Sequence, residues 1–231
     1  MTLNNLGRVY RVLGEKERAQ RYYEQALDIF REEGDRGGEG WAFHNLGKVY
    51  NDFDRHEQAM ECLAHALDIR REIGDRRGEG GTLSAIGRAY WSLGKPEQAW
   101  KFYEQAFRIS KEIGDSRGEA TSLNNLGKVC IVRGQMDQAK KYFKQAWKIR
   151  RKVEDRWGEA RTLYYIGTYY FKLRRFDVAL CCFLLDKSFL DEAQRPNRDE
   201  AQRWIEKIHH EVGDEQFTAV ESHKVVPICF W

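Results

Sequence analysis

Moved forward by forty residues, the chain falls on itself. Leu6, Leu46, Ile86, Leu126 and Ile166 coincide, and Gly7, Gly47, Gly87, Gly127 and Gly167 are all glycine. Ala19, Ala59, Ala99, Ala139 and Ala179 are all alanine. Ala26, Ala66, Ala106 and Ala146 match until Asp186 breaks the series, and Tyr10, Tyr50, Tyr90 and Tyr170 match except at Cys130. A short linker recurs in step: GDRGGEG at 34–40, GDRRGEG at 74–80, GDSRGEA at 114–120 and EDRWGEA at 154–160. A fixed period of this length means one supersecondary unit copied in tandem, because each copy can bury its apolar face only against a neighbour.

Each unit reads as two helices. Leu3, Leu6, Tyr10 and Leu13 recur at steps of three and four, as do Ala19, Tyr23, Ala26 and Phe30. That spacing is a helical stripe and not a strand alternation. Gly14, Gly94 and Gly134 fall where the two helices must turn, and Gly34, Gly74 and Gly114 where the second should end in a left-handed cap. Asp35, Asp75, Asp115 and Asp155 follow at once and are expected to cap the next first helix. Pro96 stands at the start of a second helix, where its missing N–H costs little. Helices of roughly 17 residues, about 25 Å long, result. Gly7 with Ala19 and Ala26 should let the two axes approach closely, with Tyr10 and Tyr23 filling the flanks.

Composition narrows the function. The 39 basic and 36 acidic residues leave a net charge of +3, without the strong basic excess usual in a nucleic-acid binder. There is no apolar run long enough to span a membrane and no secretory leader pattern, so a cytoplasmic protein is expected. Cys62, Cys130, Cys181, Cys182 and Cys229 match no zinc-ligand spacing and are expected to be free, buried or partly buried thiols.

The pattern NLGKVY…G…QA…YEQAL resembles the tetratricopeptide repeat (TPR), whose usual unit is 34 residues. The 40-residue variant with its GDR.GE linker is similar to the repeats of Pins/LGN-type adaptors and to the arrays of bacterial signalling ATPases of the STAND class. Kinesin light chains share the LNNL signature. The resemblance implies an all-α fold: a right-handed α-solenoid of about five helix-turn-helix hairpins. The array is placed at 1–193, in units of about 1–34, 35–74, 75–114, 115–154 and 155–193. A capping helix is expected at 194–214, with Pro196 ending the helix before it, Asn197 as its cap and Trp204, Ile205 and Ile208 as its apolar face. An ordered or loose tail, ending in VVPICFW, covers 215–231. Met1 falls inside a first helix, which suggests a segment of a longer array whose exposed end could self-associate.

No catalytic constellation emerges, and no enzyme, cofactor or metal is expected. The six histidines form no HExxH pair, there is no phosphate loop or nucleophile elbow, and the histidines read as surface residues. The glycines of GDRRGEGG are placed between helices. The recurring Glu39, Glu79, Glu119 and Glu159 read as ion-pair partners of Arg or Lys on nearby helices.

In the resembled family the first helices line a concave groove. The resemblance carries Arg8, Lys48, Arg88 and Lys128 to that groove as a basic row. Asn4, His44, Ser84, Asn124 and Tyr164 form a second column, and Asn5, Asn45, Ala85, Asn125 and Tyr165 a third. Arg11, Asn51, Trp91 and Phe171 lie one turn on. Asparagine can grip peptide amides, basic residues can meet carboxylates, and the aromatic side chains of the later units can seat an apolar anchor. A protein-interaction scaffold for an acidic or mixed peptide or helix is the first reading. A sensor segment of a larger STAND-type ATPase is the alternative. An RNA-binding repeat ranks last, because its usual period is near 35 and the charge here is balanced.

Overall fold

In a computed structural model the described residues are 3–192, 198–214 and 217–218. They contain eleven helices: α1 (Leu3–Val12), α2 (Lys16–Glu33), α3 (Arg36–Asp52), α4 (His56–Glu72), α5 (Arg76–Ser92), α6 (Pro96–Glu112), α7 (Ser116–Val132), α8 (Met136–Lys152), α9 (Arg156–Lys172), α10 (Phe176–Glu192) and α11 (Arg198–Val212). The chain divides into two compact units, Met1–Gly118 and Glu119–Trp231. Helices α3 to α10 each hold 17 residues, the length the repeat spacing requires.

The repeated turns explain the repeated sequence. Gly34 takes φ 68° and its successor Asp35 performs two tasks. The Asp35 N–H donates back to Phe30 O at 2.8 Å, closing α2, while its carboxylate accepts from Gly38 N at 2.9 Å, opening α3. Asp75, Asp115 and Asp155 do the same through Gly78, Gly118 and Gly158. One residue thus satisfies orphan groups of two helices. Where the period lacks its glycine, Asp54, Glu154 and Arg174 are driven to φ 58°, 51° and 56°. Pro96 opens α6 as expected.

In the first unit the core is built by residues that lie over the helix glycines. Tyr23, Leu63 and Tyr103 are almost fully buried against Gly7, Gly47 and Gly87. Phe143 and Phe183 take the same place over Gly127 and Gly167 in the second unit. Tyr23 therefore sits between the helices of its hairpin and not on their flank. Tyr10 alone flanks, stacked on Tyr22 with ring centroids 5.2 Å apart.

Gly78, Gly80 and Gly81 lie inside α5 and not between helices as the sequence suggested; the turn glycine is Gly74. The reason is close approach. A β-carbon at Gly78 would stand 2.5 Å from Arg70 Cδ, and one at Gly80 3.3 Å from Ile109 Cγ2. Gly81 faces open space.

In the second unit α11 packs on α9 and α10. Ala201, Ile205 and Ile208 are buried, and Trp204 stacks on Phe183 at 5.4 Å. Gly213 closes α11 with φ 78°. Pro196, Asn197, His223, Cys229 and the VVPICFW segment lie outside the described residues. No helix among those described is long and apolar enough to cross a membrane.

Candidate functional site

In the first unit the first-helix face gathers cations. Arg11 donates from Nε to Asp52 at 2.9 Å. Lys48, a third or less exposed, has no hydrogen bond or ion pair among the described residues. Burial, then the charges of Arg11 and Arg88, push its ammonium down to about 7, with only Asp52 acting the other way. His44 feels Lys48, Arg88, Arg70 and Arg11 after burial, and falls to about 3, so it is neutral at physiological pH. Its Nδ1 lies 3.2 Å from Thr82 Oγ1. It is thus an inter-helix partner and not the surface histidine that the sequence suggested. Asn51, half-buried, meets His56 at 3.2 Å; Ser84, Arg88 and Trp91 are also half-buried, and Asn5 and Arg8 are exposed.

The asparagines divide. Asn4 is half-buried, but Asn45, Asn124 and Asn125 are 7%, 2% and 4% exposed. Asn45 Nδ2 donates to Trp41 O at 3.0 Å within its own helix. Asn124 Nδ2 donates to Thr162 Oγ1 at 2.8 Å, the counterpart of His44 with Thr82 one unit-pair earlier. The Nδ2 groups of Asn45 and Asn124 are thus spent on the array itself. Asn125 is buried as deeply.

In the second unit Lys128, Trp157, Arg161, Tyr164, Tyr165, Asp186 and Glu200 line a cavity of about 270 Å³. Tyr164 Oη donates to Glu200 at 2.8 Å and accepts from Trp204 Nε1 at 3.1 Å. Arg161 Nε donates to Tyr165 Oη at 3.2 Å. Lys128 lies 5.4 Å from the Tyr165 ring centre. Phe171, half-buried, packs edge-on to Trp204 at 5.0 Å. Trp157, Arg161, Asp186 and Glu200 were not among the residues that the groove columns selected. The break in the alanine column was the available signal for Asp186.

The acidic column is structural where its partners are recorded. Glu39 pairs with Arg36 at 2.8 Å, and Glu79 with Arg71 at 2.9 Å and with Arg76. Cys62, Cys130, Cys181 and Cys182 form no disulfide bond among the described residues; Cys130 is fully buried and closes the core where the tyrosine column fails. Among the described residues no group of three or more His, Cys, Asp or Glu is placed to hold a metal ion.

The sequence profile described as tetratricopeptide repeat matches residues 1–72, 42–112, 78–152 and 118–184. The chain belongs to the tetratricopeptide-repeat family. Its helix pairs are TPR hairpins, and the close-packed glycines are the residues that let each hairpin shut. Solved structures share the fold. BtubC (BKLC) from P. vanneervenii is 18% identical with TM-score 0.72, over 90% of this chain and 89% of that one. NprR in complex with its cognate peptide NprX is 20% identical with TM-score 0.72, over 98% of this chain and 66% of that one. A Rap protein complexed with Competence and Sporulation Factor is 15% identical with TM-score 0.67, over 94% of this chain and 64% of that one. A search of the curated proteins found no match.

Proposed function

We propose that this TPR chain is a protein-interaction scaffold whose first-helix face, within residues 1–118, takes an acidic peptide or an acidic helix. The observation that carries the reading is Lys48: it stands among Arg11 and Arg88 with no hydrogen bond or ion pair among the described residues, the nearby Asp52 carboxylate being bonded to Arg11, at a cost in its own protonation. A carboxylate from a partner supplies the missing charge. Exchanging water for a charge-assisted bond at a half-buried site is the arrangement in which such a bond is worth most. Arg8, exposed beside this cluster, extends the positive field, and Trp91 offers an aromatic contact at its side. The peptide-bound NprR structure shows what one protein of the same fold accommodates, and the proposal takes that as support in kind only.

The test is an array of acidic, neutral and basic peptides probed with the wild type and with Lys48→Glu/Arg88→Glu. Helicity by circular dichroism controls for folding. Acidic peptides should be retained by the wild type and lost from the variant. Equal retention by both would remove the basic face from the mechanism.

A further inference from the structure

The alanine column of the repeat closes the space between neighbouring helices, and Ala66, Ala106 and Ala146 are essentially fully buried. Asp186 occupies the same place in the last copy, 3% exposed. No described residue hydrogen-bonds to it or pairs with it. A buried carboxylate without a partner is rare, because desolvation of the charge is uncompensated. It is rarer still at a position where the fold itself asks for a methyl group. Asp186 is not sealed in, however: it lines the 270 Å³ cavity with Trp157, Tyr164, Tyr165 and Glu200.

The cavity is lined by charges of both signs. Its cations already have occupation. Arg161 bonds to Tyr165 Oη and lies 5.7 Å from the Trp157 ring centre, and Lys128 rides on the Tyr165 face. Asp186 and Glu200 leave two carboxylates, of which only Glu200 has a donor among the described residues, the Tyr164 hydroxyl. Neither Lys128 nor Arg161 relieves Asp186; its carboxyl is pushed up to about 7 by burial first and by Glu200 second. The volume is that of one long side chain and is below the ordinary size of a cofactor site.

We propose that this cavity is a specificity pocket for a single basic side chain of a bound peptide, arginine or lysine, whose stem lies against Tyr164 and Trp157 and whose cation meets Asp186, with Glu200 at the rim. The pocket rests on the reading of the chain as a peptide binder but uses none of the residues that carry that reading in the first unit. A guanidinium suits it best, since it can hydrogen-bond a carboxylate in a fork and stack on an aromatic face at once.

The experiment titrates the full chain with acetyl-arginine amide, acetyl-lysine amide, the neutral isostere acetyl-citrulline amide and acetyl-glutamate amide. The indole ¹H–¹⁵N signals of Trp157 and Trp204 are the readout, with Asp186→Ala and Asp186→Asn alongside. Arginine amide should shift the indole signals saturably, bind at least about tenfold more tightly than citrulline amide, and lose that preference in both variants. It should bind more tightly at pH 8 than at pH 6, as Asp186 ionises. Asp186→Ala restores the residue of the four earlier copies, so the variant should remain folded. No saturable binding of arginine amide to the wild type, equal binding of citrulline amide, or an undiminished preference in Asp186→Ala each overturns the pocket. Failure of the acidic-peptide array with success here would remove the proposal for the first unit and leave this one standing.

Discussion

The ring of Tyr23 lies across Gly7 so closely that a β-carbon on residue 7 would stand 2.6 Å from Tyr23 Cε1. Tyr103 over Gly87 repeats the relationship at 2.6 Å, and Phe143 over Gly127 at 2.5 Å. The glycine is the hole and the aromatic ring is the peg. Neither can change alone without either a clash or a cavity.

Gly87→Ala and Gly81→Ala therefore have opposite signs although both lie in α5. The first forces the fully buried Tyr103 ring to move and should cost about 1–3 kcal/mol. The second adds a methyl group in open space and removes a helix-interior glycine, a gain of up to about 1 kcal/mol. Urea denaturation of the two variants checks the contrast, and destabilisation by both would refute it.

The three residues that substitute for turn glycines carry strain. Asp54, Glu154 and Arg174 hold positive φ, a conformation that costs an L-residue roughly 1–2 kcal/mol. Replacing each with glycine should stabilise by about 0.5–1 kcal/mol after the entropy loss of glycine is counted. The midpoints should rise for all three and add in the combined variant, because the positions lie in separate turns.

Asp186 lowers stability in proportion to its ionisation. Its folded-state value of about 7 lies above the ordinary 3.8, so the native chain holds the proton more tightly than the unfolded chain. For such a group stability falls as pH rises from about 4 to 7, and the penalty is complete above that window. Converted, the difference is up to about 4 kcal/mol. Asp186→Ala should melt higher than the wild type at pH 8, and the gap should narrow on acidification to pH 5. A gap that stays constant across this range would contradict the assignment.

Lys48 titrates in the opposite sense. Its folded-state value of about 7 lies below the ordinary 10.5, so the penalty is present at pH 7 and below and is relieved as pH rises toward 10. A carboxylate that binds there favours the charged form. Affinity for an acidic peptide should accordingly fall as pH rises from 6.5 to 9, with proton uptake on binding. Lys48→Met should bind weakly and flatten the profile. His44, neutral throughout this range, contributes no slope. Isothermal titration in two buffers of different ionisation enthalpy measures the uptake directly.

The period, the helix lengths, the aspartate caps and the left-handed glycines are local or nearly local properties. A cap needs three residues and a turn needs one positive φ, so they were legible in GDRGGEG and its copies before any packing was known. The family resemblance rests on the same positions, and the repeat profile covers them. What a single copy does not contain is the neighbour forty residues away. Asn124 and Asn125 carry the same letters as Asn4 and Asn5, yet the latter pair is half-buried and exposed while the former is closed in, with Asn124 bonded to Thr162. Lys48 loses its ordinary basicity first through burial in the array and then because Arg11 and Arg88, from the copies before and after, reach the same space. The break at Asp186 was visible in the alanine column, but its isolation was not. Its burial, the lack of a hydrogen-bond or ion-pair partner among the described residues and the cavity beside it are decided by the fold of the last copy against α11. Sequence periodicity sets which side chains each hairpin must bury; only the tertiary structure decides which polar groups are left without a partner.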